Sequence, residues 1–301
     1  MSKKEEFLNE VVQRMYEVVD AEKITITRTE KNNGVVKAGI TIRTKGSNIA
    51  PVIYLEDMFL DYETHAKTME EIIEIVNQVY QSAQTTISMG DEDGMFPYET
   101  SKNDLFIKVC NFKANEKRLQ DLLYEQFLDL AIVPYIKIDM GNESLGGIAV
   151  TRDLAEKWDV SVDTIVQLAK ENTMKLFKAT NRPLFDVIKS LLGDVLGNEK
   201  IASFPPIYVL SNDQGVCGSM FLAMKNVLDD IRKEIGVEKY YILPSSIHEL
   251  LLVTNENVNP NKLASMVRHV NTTQVQPEEI LSYSVYEYSK DGLKIAATKE
   301  E

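Results

Sequence analysis

An α+β fold with mixed, mostly antiparallel sheets, built from strand–turn–strand–helix units with helices packed on one face, is the class this sequence predicts. Three observations predict it. Short period-two or continuously apolar segments alternate with turns rich in Gly, Asn and Pro. Longer amphipathic segments carry helix caps, and one order of elements recurs along the second half.

The first element is a helix, because Phe7, Leu8, Val11, Val12, Met15 and Val18 fall on one stripe. Residues 23–28 then alternate, Asn32-Asn33-Gly34 tolerates positive φ, and residues 36–44 return, which makes a hairpin. Residues 52–55 are a third strand. Thr68 and Glu71 have capping-box spacing ahead of the stripe Met69, Ile72, Ile73, Val76, Val79 and Tyr80, so a helix runs over 68–81. Residues 88–104 read as a loop.

Residues 105–112 and 127–138 read as strands around a short charged helix or loop, the second so apolar that it belongs at the centre of a sheet. From there the recurring unit has three copies. The first is a strand over 130–139, a turn at Gly141-Asn142, a strand over 147–150, and a helix capped by Thr151. The second is a strand over 207–210, a turn at 212–215, a strand over 216–222, and a helix closed by Gly236. The third is a strand over 240–243, the turn Pro244-Ser245-Ser246, a strand over 248–253, and a helix from Pro260. A hairpin around Lys290-Asp291-Gly292 closes the series. Helical segments at 162–177 and 183–196 form an insert near 161–196. The acidic loop at 91–93 divides the chain into a helix, three-strand, helix part over 1–92 and a larger α+β part over 93–301.

Composition excludes several classes. With 301 residues, 44% hydrophobic and 26% charged, the chain is long and apolar enough to bury a core without disulfides. A net charge of -13 repels phosphate backbones and anionic membrane surfaces, so non-specific nucleic-acid binding is not expected. Asn9, Glu10, Gln13 and Arg14 interrupt the first apolar stripe, unlike the core of an export signal. The apolar stretch 128–138, broken by Asp129, Pro134 and Lys137, is far short of the ~18 residues of a membrane span. Two cysteines, Cys110 and Cys217, suit a reduced, intracellular compartment.

Chemistry concentrates in one place. The three histidines are His65, His248 and His269, and His248 shares a turn with Ser245, Ser246 and Glu249. Two readings of this turn stand. In one, hydroxyl, imidazole and carboxylate form a nucleophile or ligand cluster; on a strand, Ser246 and His248 would share a face while Glu249 points the other way. In the other, Pro244 sets a turn dihedral and the polar side chains satisfy nearby backbone. The segment lacks the second histidine of a zinc-protease helix.

Cys217 reads as a small buried hydrophobe, with activation by His248 as the alternative, and Cys110 reads as packing. Residues 90–94 do not complete a calcium loop, and the glycines never meet phosphate-loop spacing. No metal or cofactor is therefore expected. Ser-x-x-Lys, Gly-x-Ser-x-Gly and Cys-x-x-Cys are absent. The acidic outer faces of the first helix and of Glu70-Glu71-Ile72-Ile73-Glu74 read as solvated surface or as a face for a basic partner.

The run Tyr241-Ile242-Leu243-Pro244-Ser245-Ser246-Ile247-His248-Glu249, with Met266-Val267-Arg268, Gln276-Pro277-Glu278-Glu279, Ile207-Tyr208-Val209-Leu210-Ser211-Asn212 and Ala169-Lys170-Glu171-Asn172-Thr173, resembles an uncharacterised domain-of-unknown-function family of clostridial bacterial proteins of about this length. Pro-Ser-Ser-Ile-His-Glu is the most specific part of the resemblance. It implies a bacterial, cytoplasmic protein and brings no catalytic residue with it. Two functions remain open: a non-catalytic binding or regulatory protein acting through protein contacts, or a hydrolase-like enzyme using Ser246, His248 and Glu249.

Overall fold

The computed structural model describes residues 2–44, 50, 52–86, 96–139, 145–187, 207–254 and 257–299. They fall into two units: Met1–Ser101 with Ile138–Gly146, and Lys102–Lys137 with Gly147–Glu301. The expected boundary at 92, the turn at Gly141-Asn142 and the acidic residues 90–94 lie outside the described residues.

In the first unit, α1 (Lys3–Val18) begins at Ser2, whose hydroxyl accepts the Glu5 N–H. Strands β1 (Lys23–Glu30), β2 (Val36–Arg43) and β3 (Val52–Tyr54) form an antiparallel sheet, with Ile24 opposite Ile42 and Ile26 opposite Ile40. Helix α2 (Glu56–Glu63), which the sequence reading did not anticipate, precedes α3 (Met69–Thr86). The capping box forms as expected: the Thr68 N–H donates to Glu71 Oε2 at 2.8 Å, and the Glu71 N–H to Thr68 Oγ1 at 3.3 Å. Phe7, Leu8, Val11 and Met15 of α1, Ile40 and Ile42 of β2, and Ile72 and Val76 of α3 make the core.

The second unit holds a smaller sheet of β4 (Leu105–Asn111), β6 (Leu130–Asp139) and β5 (Glu125–Phe127), with β7 (Leu145–Ala149) also on β6. The apolar strand is central, as its composition implies. It is shorter than expected, because Leu128 at φ 56 and Asp129 turn the chain between β5 and β6. Pro134 survives in this central strand because its partner Ile107 turns its N–H outward, to Thr173 Oγ1 at 3.0 Å. That pair exchanges no ladder bond, so the missing Pro134 N–H costs the β4–β6 ladder nothing. Thr173 lies on the helix Val162–Leu176, which covers the edge of β4.

The larger sheet has the order β13-β12-β10-β11-β9-β8 and is antiparallel throughout. Its strands are β8 (Ala179–Pro183), β9 (Ile207–Asn212), β10 (Lys239–Pro244), β11 (Leu250–Val253), β12 (Ser284–Ser289) and β13 (Gly292–Thr298). Four expectations change here. The insert near 161–196 is not all helical, since β8 pairs with β9. Residues 216–222 are not a strand: Cys217 is left-handed and Gly218–Ala223 is a 3-10 helix. The strand expected over 248–253 begins at Leu250.

Nor are the helices confined to one face. Tyr241 and Leu243 pack with Leu263, Ala264 and Val267 of the helix Pro260–Thr273. Tyr240, pointing the other way, donates its hydroxyl to Leu228 O in the helix Lys225–Ile235 at 3.0 Å. Burial on both faces is why β10 lacks alternation.

The turn residue Asp129 ties the two sheets of this unit together. Its carboxylate accepts the hydroxyls of Ser282 (2.6 Å), Ser284 (2.8 Å) and Tyr286 (2.8 Å), all three of which are buried. Burial and the Asp129 charge together hold the Tyr286 phenol well above its ordinary pKa, so it stays a donor. Asp129→Ala takes this acceptor from the buried Ser282 and Tyr286 hydroxyls, while Ser284 keeps Thr298 Oγ1 at 2.8 Å, and urea denaturation should show a loss of about 2–4 kcal/mol. A loss below about 0.5 kcal/mol would show that water replaces the carboxylate.

Glu287 on β12 lies between Lys294 Nζ (2.8 Å) and Lys239 Nζ (3.0 Å) with its side chain 12% exposed. The hydrogen bond from Lys294, supported by Lys239, holds its carboxyl below the ordinary range despite partial burial. A depressed carboxylate stabilises the fold above its unfolded pKa and loses that contribution as pH falls through the folded value. Glu287→Gln should therefore cost roughly 1 kcal/mol near neutral pH, and the gap to wild type should close below about pH 4. Denaturation midpoints measured across that range decide it.

Candidate functional site

The loop between β10 and β11 holds the four residues singled out by sequence: Ser245, Ser246, His248 and Glu249. Antiparallel pairing of Pro244 with Leu250 closes it, and its backbone is irregular rather than extended. The alternation argument that sent His248 and Glu249 to opposite faces therefore does not govern them.

Hydrogen bonds tie this loop to itself and to three other segments. Ser245 Oγ donates to Glu249 Oε1 at 3.4 Å. Ser246 Oγ accepts the backbone N–H of His248 at 2.9 Å, and the Ser246 N–H donates to Glu249 O at 3.2 Å. The Ile247 N–H donates to Glu279 O at 2.8 Å, and Ile247 O accepts the Ser219 N–H at 3.2 Å. His248 O takes two bonds, from the Gly218 N–H at 2.9 Å and from Ser211 Oγ at 2.8 Å. The imidazole accepts the Cys217 N–H at Nδ1 (3.2 Å), and its Nε2 lies 3.6 Å from Glu279 Oε1.

The structure thus brings His248 together with Cys217, Gly218, Ser211 and Glu279, of which the sequence had raised only Cys217. The link to Cys217 runs through the main chain. Burial pushes the Cys217 thiol up, with Lys108 drawing it partly back, so the sulfur is not an activated nucleophile. Ser246 Oγ accepts from the His248 backbone N–H rather than meeting the ring, so the contacts form no Ser–His dyad.

One sequence signal for this convergence exists. An added Cβ on Gly218 would lie 2.5 Å from His248 O and 2.7 Å from Ser211 Cα, so the three backbone segments meet only because the residue is Gly. Asn212 shapes the approach: Oδ1 accepts the Gln214 and Val216 N–H groups, and Nδ2 donates to Val216 O.

The remaining candidates stand apart. His65 follows α2 at φ 57 and is exposed, as is His269 on the helix Pro260–Thr273. Cys110 is buried on β4, and burial pushes its thiol up to about 11, against the pull of Arg118. Among the described residues, no group of three or more His, Cys, Asp or Glu is placed to hold a metal ion. No described helix is long and apolar enough to cross a membrane. Two surface depressions, one beside Arg152, Glu156 and Asp159 and one along Glu6, Glu10 and Arg14 of α1, share no residue with the loop.

The model of DUF5688, a family of unknown function, matches residues 4–290. No curated protein matches the chain, and no solved structure does.

Two glycine substitutions separate crowding from backbone strain. Gly218→Ala must push apart the His248 carbonyl and Ser211, at a cost of about 2–4 kcal/mol. Gly215→Ala meets nothing within 4 Å and bears only the penalty of a residue at φ +69, about 1 kcal/mol. Thermal denaturation of both variants tests the order; equal losses would remove the packing role given to Gly218.

Proposed function

We propose that the chain, which belongs to DUF5688, is a non-catalytic cytoplasmic protein of clostridial bacteria that acts by binding another protein. One observation carries the reading: the serine hydroxyls of the loop 245–249 bond within the loop, and its imidazole and backbone groups join it to Ser211, to residues 217–219 and to Glu279. A serine or cysteine nucleophile needs its hydroxyl or thiol within reach of the base, and here the imidazole meets a backbone N–H and a carboxylate instead. The net charge of -13 disfavours phosphate backbones and anionic lipid surfaces, which leaves protein surfaces as partners. Two free, buried thiols suit a reducing compartment.

The hydrolase reading, built on Ser246, His248 and Glu249, draws on a different observation. The His248 side chain is 34% exposed and faces Glu279, an orientation that a base held by a carboxylate shares.

Two measurements on the full chain separate these readings. A panel of ester, amide and phosphoester substrates should show no turnover with wild type or with His248→Ala. Turnover by wild type that His248→Ala abolishes would overturn the non-catalytic reading. Tagged protein cross-linked in a clostridial host should retain one partner at near-equal amounts, and recovery of nothing above an untagged control would remove the binding reading.

A further inference from the structure

We propose that His248 is a proton-operated latch on the backbone at Cys217: the neutral ring holds that residue in place, and the protonated ring releases it and turns to Glu279.

Cys217 stands at φ 55 and ψ 26, a left-handed conformation that non-glycine residues adopt only where the surroundings hold it. It immediately precedes the 3-10 helix Gly218–Ala223 and makes no side-chain capping bond. Its N–H is accepted instead by His248 Nδ1, from 31 residues along the chain. An acceptor at Nδ1 requires the neutral ring to carry its proton on Nε2, the nitrogen that faces Glu279 Oε1.

Protonation removes the only acceptor the imidazole has. Nδ1 then bears hydrogen and confronts the Cys217 N–H donor to donor, while the new positive charge is drawn to Glu279. The carboxylate is already in place, because Glu279 O independently holds the Ile247 N–H. The other groups around the ring leave this exchange to those two partners. Glu249, on the same loop, accepts from Ser245, and β9 contributes the uncharged hydroxyl of Ser211. On the facing segment the Cys217 thiol stays protonated and so neutral, and Lys108 is the cation beyond it. Glu278 flanks Glu279 on the 3-10 helix Pro277–Glu279.

The release is local. Gly218 and Ser219 keep their bonds to His248 O and Ile247 O, neither of which titrates. What is freed is the Cys217 N–H, with the strained φ as the stored bias; its carbonyl keeps the Met220 N–H at 3.1 Å, and Asn212 keeps the turn before it.

Amide and imidazole NMR of the full chain between about pH 8 and pH 5, the span over which imidazoles titrate, tests the latch. In wild type the Cys217 amide resonance should shift with the same midpoint as the His248 ring. Its hydrogen exchange, corrected for intrinsic pH dependence, should speed up at least tenfold, while the Ser219 amide changes less than twofold. His248→Asn places an amide oxygen near Nδ1 and cannot titrate, so its Cys217 amide should be flat across the range. Glu279→Gln keeps the imidazole but removes the carboxylate, and should move both midpoints together to lower pH. A ring that titrates while the Cys217 amide stays still, or a Cys217 transition that persists in His248→Asn, would overturn the proposal. Should His248→Asn fail to fold, a Glu279→Gln chain in which the two midpoints part would overturn it equally.

Discussion

The second unit depends on one carboxylate. Asp129 stands at a tight turn of the smaller sheet and accepts three buried hydroxyls from the first residues of β12 and the segment before it. Few other groups could do this. Hydroxyls buried without an acceptor are costly, and a carboxylate offers enough lone pairs to take all three. Asn271 Nδ2 adds a bond to Ser282 O, which brings the helix Pro260–Thr273 into the same fixture. With Ser282 held, Glu279 is only three residues away. Its carbonyl anchors Ile247 and its side chain faces His248. The placement of the candidate loop therefore descends from a turn on a different sheet.

Strand β10 is the second organising element. Tyr240 reaches one covering helix while Tyr241 and Leu243 pack against the other, so the loop at its end is carried by a strand with little freedom to move. Tyr288 repeats the arrangement from β12, its ring tilted 41° against that of Tyr240 at 5.6 Å and its hydroxyl donating to Lys225 O at 3.2 Å. Desolvation, helped by Tyr288 and Asp229 at Tyr240 and by a hydrogen bond with Asp229 at Tyr288, holds both phenols above their ordinary pKa, so they remain donors across the physiological range. A loop mounted this way can present side chains reproducibly without a metal or disulfide, whatever those side chains bind.

Local features were legible in the sequence and distant ones were not. The Thr68 and Glu71 capping box, the Thr151 cap, Pro260 at a helix start and Gly236 at a helix end all involve residues within one turn of each other, and all appear where their spacing puts them. The strand expected over 216–222 fails for a reason no window on the sequence contains. Its apolar residues are buried, but the backbone N–H groups of Cys217, Gly218 and Ser219 are claimed by the loop at 247–248 rather than by a neighbouring strand. Continuous apolar character reports burial and leaves the hydrogen-bond partner undecided. The same holds for the site. Ser245, Ser246, His248 and Glu249 stand together because they are neighbours in sequence, whereas Glu279 and Ser211 arrive through the sheet. β10 did carry a signal of two-sided burial in its unbroken apolar run, a signal that the one-faced arrangement overlooked.

The Asp129 clasp also sets an order of events during synthesis. Its nearest partner, Ser282, lies 153 residues further along the chain, so at the usual pace of translation the carboxylate waits about 8 to 30 s for its first donor. During that interval β4, β5 and β6 can pair among themselves, being close in sequence, but the turn that carries Asp129 remains open to water. Closing so long a span is entropically slow compared with forming a local hairpin. The turn that carries Asp129 is thus exposed to competing contacts until the last strands of the larger sheet have been made, and the joining of the two sheets through it is a late event of assembly.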